Sequence, residues 1–433
     1  MKSRIARFLI LSGILNSWLV VGEGAPVCAA EMSLRPSLAV SEEFNDNIEE
    51  TTTNKLSDFV TRIQPGGTFH YTSPLWTWDT TYTFEYRNYA RHSREDEYTH
   101  NADLRGNISI IENFLFLDVG DTYRRVPLDI ARDPATVSSL FLNQTDQNIA
   151  TISPYMLWRL GEKNTLKTGY RYTDTRYWGE GIDRREHGAF ASLSHEMTSK
   201  LTLSAEYAFS RLVSQPTQYN QHDLSGGFRY QYADKSFLFG QVGNSWLNFN
   251  SGNKTSFIFW HAGVTHDFKV VVATFETRSQ ISVDPLAVST KETGSQFSVD
   301  PLAVTTKQTS YSGRLEKALQ RGMVGLAVSY TEYENIESTD AKRRHRLSFS
   351  GTGKYEVSQD LTASLYATVE RTNRLLASDT PYRFTGALGL SYAFKKDLIL
   401  GVTYTYVTNR QELDTTAGSI DINKAVVELK KTF

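Results

Sequence analysis

Cysteine occurs once in 433 residues, as Cys28. A single thiol can close no internal disulfide, build no cysteine-based metal site and carry no haem attachment motif. Long apolar runs are missing beyond Val21, and this excludes a bundle of membrane helices, each of which needs about 20 consecutive apolar residues. Charge of one sign is also lacking: 46 basic residues face 48 acidic ones, a net charge of -2. That balance points to no nucleic acid and to no one class of charged partner. Glycine-rich phosphate loops and aromatic residues interleaved on a basic surface are absent too. The nine histidines are scattered. His187 and His195 share one alternating run but have no acidic partner in a recognisable motif, and no nucleophile motif surrounds any serine. No catalytic, cofactor-binding or metal-ligating residue is therefore assigned, and the chain is expected not to be an enzyme.

What is present begins with an N-terminal leader. Lys2, Arg4 and Arg7 precede an apolar run from Phe8 to Val21, and small residues then lead to Cys28, Ala29 and Ala30. This is the pattern of a secretory signal peptide cut after Ala30. Its removal takes Lys2, Arg4, Arg7 and Glu23 away, which lowers the basic count from 46 to 43 and the acidic count from 48 to 47, a net charge of -4. The expected organisation is a signal peptide over residues 1–30 and one body over residues 31–433.

The stretch from Trp76 to Arg124 indicates the fold. Trp76, Trp78, Thr80, Tyr82, Phe84 and Tyr86 occupy one parity, and Thr77, Asp79, Thr81, Thr83, Glu85 and Arg87 the other. Successive strand side chains point to opposite faces, so one face is apolar and aromatic while the other carries charge. The pattern returns at Ala102, Leu104, Gly106, Ile108 and Ile110, turns at Glu112 and Asn113, and resumes at Leu115, Leu117 and Val119. Each run is long enough to cross a bilayer as a tilted strand of about 9 to 11 residues. Soluble sandwiches use strands of about 5 to 6 residues. Long strands with tight turns at one end and longer polar loops at the other predict an all-β, transmembrane, antiparallel up-and-down barrel. A mean hydropathy of -0.39 agrees, because only alternate residues meet lipid.

Alternation first appears near Ser33, where Pro36 suits a first strand. It recurs to Phe433 in runs that include Asn148 to Trp158, His187 to Glu196, Asp223 to Tyr230 and Arg383 to Phe394. The runs suggest about 20 strands, with 18 to 22 as the range, and an even number if both ends lie on one side of the membrane. A long connection is expected from Pro127 to about Asp146. Ser282 to Val288 recurs as Ser298 to Val304, and this tandem segment (282–313) is expected to be an enlarged outer loop, because added membrane strands would invert every later loop. Trp76, Trp78, Trp158, Trp178 and Trp246 fall near predicted strand ends, where indoles suit the interface of lipid and water.

The charged parity carries Arg62, Asp79, Glu85, Arg87, Asp103, Arg105, Asp118, Arg124, Lys167, Arg171, Glu206, Asp223 and Arg229. These are the candidate lumen-lining residues. Both signs recur at intervals that allow pairing across neighbouring strands. Two uses are open: a salt-bridged wall that keeps the lumen wet, and a path that biases which solute crosses.

Leu34 to Asn47, with its Arg35-Pro36-Ser37 and Phe44-Asn45-Asp46-Asn47 segments, and Ser57 to Gly66 resemble the opening of the β-barrel porin 2 family. Ser153-Pro154-Tyr155 and Gly169-Tyr170-Arg171-Tyr172 are similar to it as well. The resemblance spans most of the mature chain, and none of its motifs marks an active site. It implies an outer-membrane conduit of a Gram-negative bacterium that takes part in exopolysaccharide export with a periplasmic export partner. A general diffusion porin is the alternative, and a plugged structural or adhesive barrel or an outer-membrane hydrolase are alternatives of other classes. Phe433, Leu429, Val427 and Ala425 on one parity resemble the signal read by the barrel-assembly machinery, from which Lys431 departs. The expected partners are thus outer-membrane lipid, that machinery and the polysaccharide, for a monomer with no cofactor.

Overall fold

A computed structural model describes residues 30–127, 144–179, 181–215, 218–283, 305–335, 343–372, 382–395, 397–410 and 419–433. The predicted leader, the middle of the long connection after Pro127 and most of the tandem segment lie outside the described residues.

Twenty antiparallel strands form one sheet among the described residues: β1 (Glu31–Asn45), β2 (Asp58–Thr72), β3 (Trp76–Tyr89), β4 (Glu97–Ile111), β5 (Leu115–Pro127), β6 (Gln144–Arg159), β7 (Asn164–Trp178), β8 (Arg184–Thr198), β9 (Leu201–Ser214), β10 (Gln218–Ala233), β11 (Ser236–Phe249), β12 (Lys254–Asp267), β13 (Val272–Val283), β14 (Thr305–Leu319), β15 (Gly322–Asn335), β16 (Arg343–Glu356), β17 (Leu361–Thr372), β18 (Tyr382–Lys395), β19 (Leu398–Arg410) and β20 (Ile420–Thr432). Each strand pairs with its successor, and β1 pairs with β20 from Ser37↔Thr432 to Asn45↔Lys424. The sheet therefore has no free edge, the condition for satisfying every backbone donor and acceptor inside a bilayer. The structure is a transmembrane β-barrel of the predicted class.

The two ends differ. At one, connections are as short as Ser199-Lys200 between β8 and β9, and register shifts at Ser109/Ile111, Glu196/Thr198, Gln231/Ala233 and Ala393/Lys395 sit beside such turns. Asn113 adopts φ of 59° in the β4–β5 turn, a left-handed conformation that Asn tolerates better than most residues. The other end carries the longer connections.

Parity is kept around the barrel. On β3, Trp76 and Tyr82 are exposed on the outward face, as are Leu224, Phe228 and Tyr230 on β10 and Leu388, Leu390 and Tyr392 on β18. Among the described residues, fully buried apolar clusters gather at the long-loop end. Ile48, Val60 and Tyr89 form one buried cluster, and Leu212, Tyr219 and Leu247 another. A soluble sandwich of this size would bury apolar side chains along its whole length. Here apolar surface faces outward and the interior wall is polar.

Candidate functional site: the lumen wall

The register places Arg62, Asp79, Glu85, Arg87, Asp103, Arg105, Asp118, Arg124, Lys167, Arg171, Glu206, Asp223 and Arg229 on the face opposite the exposed apolar side chains. They divide into a mouth network, a wall recess with its adjoining platform, and single positions along the wall.

At the long-loop end the connection 46–57 bends inward. Ile48, fully buried, lies against inward-facing Val60 and Tyr89. Asn47 holds this loop: its side-chain amide donates to the carbonyls of Thr51 (2.8 Å) and Asp421 (3.1 Å), and its Oδ1 accepts from the Thr51 N–H at 3.0 Å. Asp46 accepts from the Asn423 N–H (2.7 Å) and side chain (2.6 Å), which ties the loop across the β1–β20 seam. Asp58 accepts from the N–H groups of Phe59, Arg91 and Ser93 at 2.7, 2.8 and 3.1 Å.

Below that loop lies a buried ion cluster. Glu43, with 2 % of its side chain exposed, pairs with Arg62 and, at 3.4 Å, with Lys424, whose side chain is 5 % exposed. Glu85 accepts from Gln64 and Arg87, and Glu97 is approached by Arg94 (3.3 Å), Arg125 (3.4 Å) and Arg87 (3.9 Å). On the outward parity of β5 and β6, Arg125 also holds Asp146 at 2.9 Å. On the outward parity, the hydroxyl of Tyr86 on β3 donates to Asp96 of the β3–β4 loop at 2.6 Å and holds that carboxyl below the usual carboxylate range. Arg62, Glu85 and Arg87 thus belong to a pinned mouth, where each charge is partnered as burial demands.

Midway along β3 to β7 the wall opens into a polar recess of about 590 Å³. Asp79, Arg105, Asp118 and Arg171 line it, with Asn107 and the hydroxyls of Thr77, Thr151, Ser153 and Thr173 between them. Gly120 lies in its floor, where a Cβ would meet only the Leu104 carbonyl at 3.8 Å. The Asn107 amide donates to Asp118 at 2.6 Å and to the Tyr155 hydroxyl at 3.3 Å.

That hydroxyl links the recess to an aromatic platform. Phe116 and Tyr155 pair across β5 and β6, with ring centroids 5.1 Å apart and planes 15° from parallel. Lys167 Nζ stands 3.8 Å from the Tyr155 ring centre, and Arg171 lies 5.6 Å from that of Phe190. The Phe190 ring rests on Gly169, where an added Cβ would meet Phe190 Cζ at 2.6 Å, the Pro154 carbonyl at 2.8 Å and Tyr155 Cβ at 2.8 Å.

A second aromatic and charged patch crosses β10 to β13. Arg229 stands 3.9 Å from the Phe237 ring centre, and Phe239 meets His261 edge-on at 4.8 Å. His261 Nε2 lies 2.7 Å from Glu276 and 3.3 Å from Arg278, so this histidine has its acidic neighbour on the next strand. Asp103 pairs locally with Arg105 at 2.9 Å, and Asp223 accepts from Gln221 at 2.8 Å. Arg124 and Glu206 face the lumen opposite Gln147 and Ser225, apart from the recess. His187 and His195 do not meet: His187 contacts Tyr170, and His195 contacts Asn164. Among the described residues no three His, Cys, Asp or Glu side chains converge as a metal site requires.

The charged parity read from the sequence stopped short of Glu43, Lys424, Asn107, the platform rings and the His261 group. Glu43, Lys424 and the His261 group would have been named by the same parity carried to both ends of the chain, whereas Asn107, Phe116, Tyr155 and Phe190 are uncharged members of the inward parity whose contacts come only from strand register.

The arrangement is a wall that offers flat rings next to paired donors and acceptors. Phe116 and Phe190 present apolar ring surface, the Tyr155 ring lies between Phe116 and Lys167, and the recess supplies guanidinium and amide donors beside carboxylate and hydroxyl acceptors. It is suited to holding a polyhydroxylated solute weakly at several points.

No family model matches this chain, and no curated protein matches it. Solved structures do. A crystal structure of the ferric enterobactin receptor PfeA from Pseudomonas aeruginosa, as its G324V mutant, aligns with a TM-score of 0.50 at 10 % identity, over 93 % of this chain and 80 % of that one. The R480A mutant of the same receptor, in complex with enterobactin, aligns with a TM-score of 0.51 at 10 % identity over 93 % and 81 %. The likeness lies in the fold: this chain shares the closed antiparallel barrel of these receptors.

Proposed function

We propose that this protein is an outer-membrane conduit of a Gram-negative bacterium and that it passes polysaccharide chains in exopolysaccharide export. The closed sheet, outward apolar parity and polar inward parity support a water-filled path, since barrels of 16 to 18 strands already enclose an aqueous channel. The observation that carries the saccharide reading is the polar recess of Asp79, Arg105, Asn107, Asp118 and Arg171 joined to the Phe116, Tyr155 and Phe190 rings. Sugar rings present an apolar C–H face for stacking and hydroxyls for both donors and acceptors. Contacts spread along the wall let a chain move on, because conduction needs binding weak enough at each point to release.

Purified protein in planar bilayers tests this. Stepwise ion conductance, interrupted by oligosaccharides in a concentration-dependent way and less so in Phe190→Ala and Asp118→Asn variants, is expected. Conductance indifferent to every oligosaccharide would favour a general diffusion porin, and absence of conductance a plugged or structural barrel. In cells, loss of the protein should leave polymer inside the outer membrane.

A further inference from the structure

Histidines and arginines also mark the outward face, where the conduit makes no use of them. On β7 the outward parity runs Tyr170, Tyr172, Asp174, Arg176; on β8 it carries His187 and Arg185; on β9 it carries Tyr207, Phe209 and Arg211. Exposed Tyr170, Leu193, Leu203 and Tyr207 define that parity. The three arginines stand 12, 13 and 10 residues from the short-turn ends of β7, β8 and β9. At about 3.3 Å per residue and a tilt of about 45°, this is a rise of roughly 23 to 30 Å. An outward apolar band is about 25 Å tall. The guanidiniums therefore reach the level of lipid headgroups.

Their partners are unequal in charge. Asp174 takes Arg176 at 3.0 Å and lies 3.9 Å from Arg185. Arg211 is exposed, stands across from His187, and pairs with no carboxylate among the described residues. The nearby Asp183 accepts from the Tyr177 N–H at 2.8 Å. Beneath the arginines stand two copies of an arrangement that the outward face repeats at Tyr82, His100 and Phe84. The Tyr170 hydroxyl meets His187 Nδ1 at 2.6 Å, with Tyr172 at 5.0 Å from that imidazole; the Tyr207 hydroxyl meets His222 Nδ1 at 2.9 Å, with Phe209 at 5.0 Å. When the tyrosine donates, the imidazole keeps its proton on Nε2, a further donor at the foot of the cationic group.

We infer that the outward face of β7 to β10 near the long-loop rim binds the phosphate of an outer-leaflet lipid, with Arg185 and Arg211 as its principal ligands and the Tyr and Phe rings against the acyl chains. The inference rests on the proposed membrane location and orientation, and not on what the lumen passes. Charge complementarity selects the occupant: three guanidiniums stand against Asp174 and, beside Arg176, Asp183, which leaves Arg211 without a carboxylate partner among the described residues, and phosphate is matched by the planar guanidinium fork.

The test uses the full chain in neutral detergent, with native mass spectrometry against phosphatidic acid, phosphatidylcholine of the same acyl chains, and inorganic phosphate. Phosphatidic acid should be retained, and the Arg185→Gln/Arg211→Gln protein should bind it at least about tenfold more weakly, as expected for lost charge-assisted hydrogen bonds. Phosphatidylcholine binding should be weak and the same in both. Arg229→Gln, on the lumen face, should bind phosphatidic acid as the native protein does. Equal retention by the double variant, or equal competition by inorganic phosphate, would overturn the assignment. Conductance is read separately in both proteins, so a failed conduit and a failed lipid site give different results.

Discussion

Replacing Glu43 by Gln removes the charge that lies between Arg62 and Lys424 at the barrel's closing seam. The Glu43 and Lys424 side chains are 2 % and 5 % exposed and that of Arg62 is 16 % exposed, so water cannot readily compensate. Two cations would then face each other with their shared carboxylate gone. Breaking a buried pair by removing one partner costs about 3 to 5 kcal/mol, mostly as the penalty of an uncompensated charge. A value within that range is expected here, because one deletion removes the carboxylate that two cations share, while Glu85 near Arg62 and Glu50 near Lys424 keep part of the compensation. Lys424→Met should cost less, since Glu43 keeps Arg62. The double variant Glu43→Gln/Lys424→Met should recover part of the loss and show coupling well beyond additivity. Urea unfolding in lipid vesicles, followed by tryptophan fluorescence, reads this as a shift of midpoint at unchanged slope. A Glu43→Gln shift worth under about 1 kcal/mol, the size of an exposed pair, would refute the buried-cluster argument.

Other expectations concern the mouth, the platform and one turn. Ile48→Ala should destabilise the inward loop by about 2 to 5 kcal/mol and widen the mouth, seen as a lower urea midpoint with larger single-channel conductance. Gly169→Ala places a methyl against Phe190 and the Pro154 carbonyl; a cost of about 1 to 3 kcal/mol is expected, with shorter oligosaccharide dwell times in bilayers. In the β18–β19 turn, Asp397 pairs with Lys431, whose hydrogen bond holds the carboxyl below its ordinary range. Its stabilisation is present above the unfolded carboxylate pKa, about 3.9, and is lost as pH falls through the lowered folded value. Asp397→Asn should therefore differ from the native protein in urea midpoint at pH 7 and coincide with it in stronger acid.

The barrel was legible because a wall between lipid and water imposes a period of two on nearly every strand. Strand ends were less so. β6 starts at Gln144, not near Asn148, and β10 extends from Gln218 to Ala233 beyond the expected Asp223 to Tyr230. Above the membrane both faces are polar, so alternation stops although pairing goes on; Asp146 is held there by Arg125. The inward loop was not legible, because Ile48 and Leu56 are isolated apolar residues in a polar connection and the partners of Ile48, Val60 and Tyr89, belong to later strands. The Tyr and His pairs were hidden for the same reason: Tyr170 and His187 are 17 residues apart and meet only through register. Parity gave the recess its charged members, while the Phe116 and Tyr155 stack needed the pairing of β5 with β6.

Which side chains of the wall meet water tests most directly whether a wet lumen is enclosed by a lipid-facing wall. In a Cys28→Ser background the chain has no cysteine, so single cysteines can be introduced along β4 and β5 and exposed to a membrane-impermeant thiol reagent in vesicles. Cysteines at Asp103, Asn107, Asp118 and Gly120 should react, and those at Leu104, Ile108, Leu117 and Val119 should not. Uniform reaction, or the opposite alternation, would contradict a wet lumen enclosed by a lipid-facing wall.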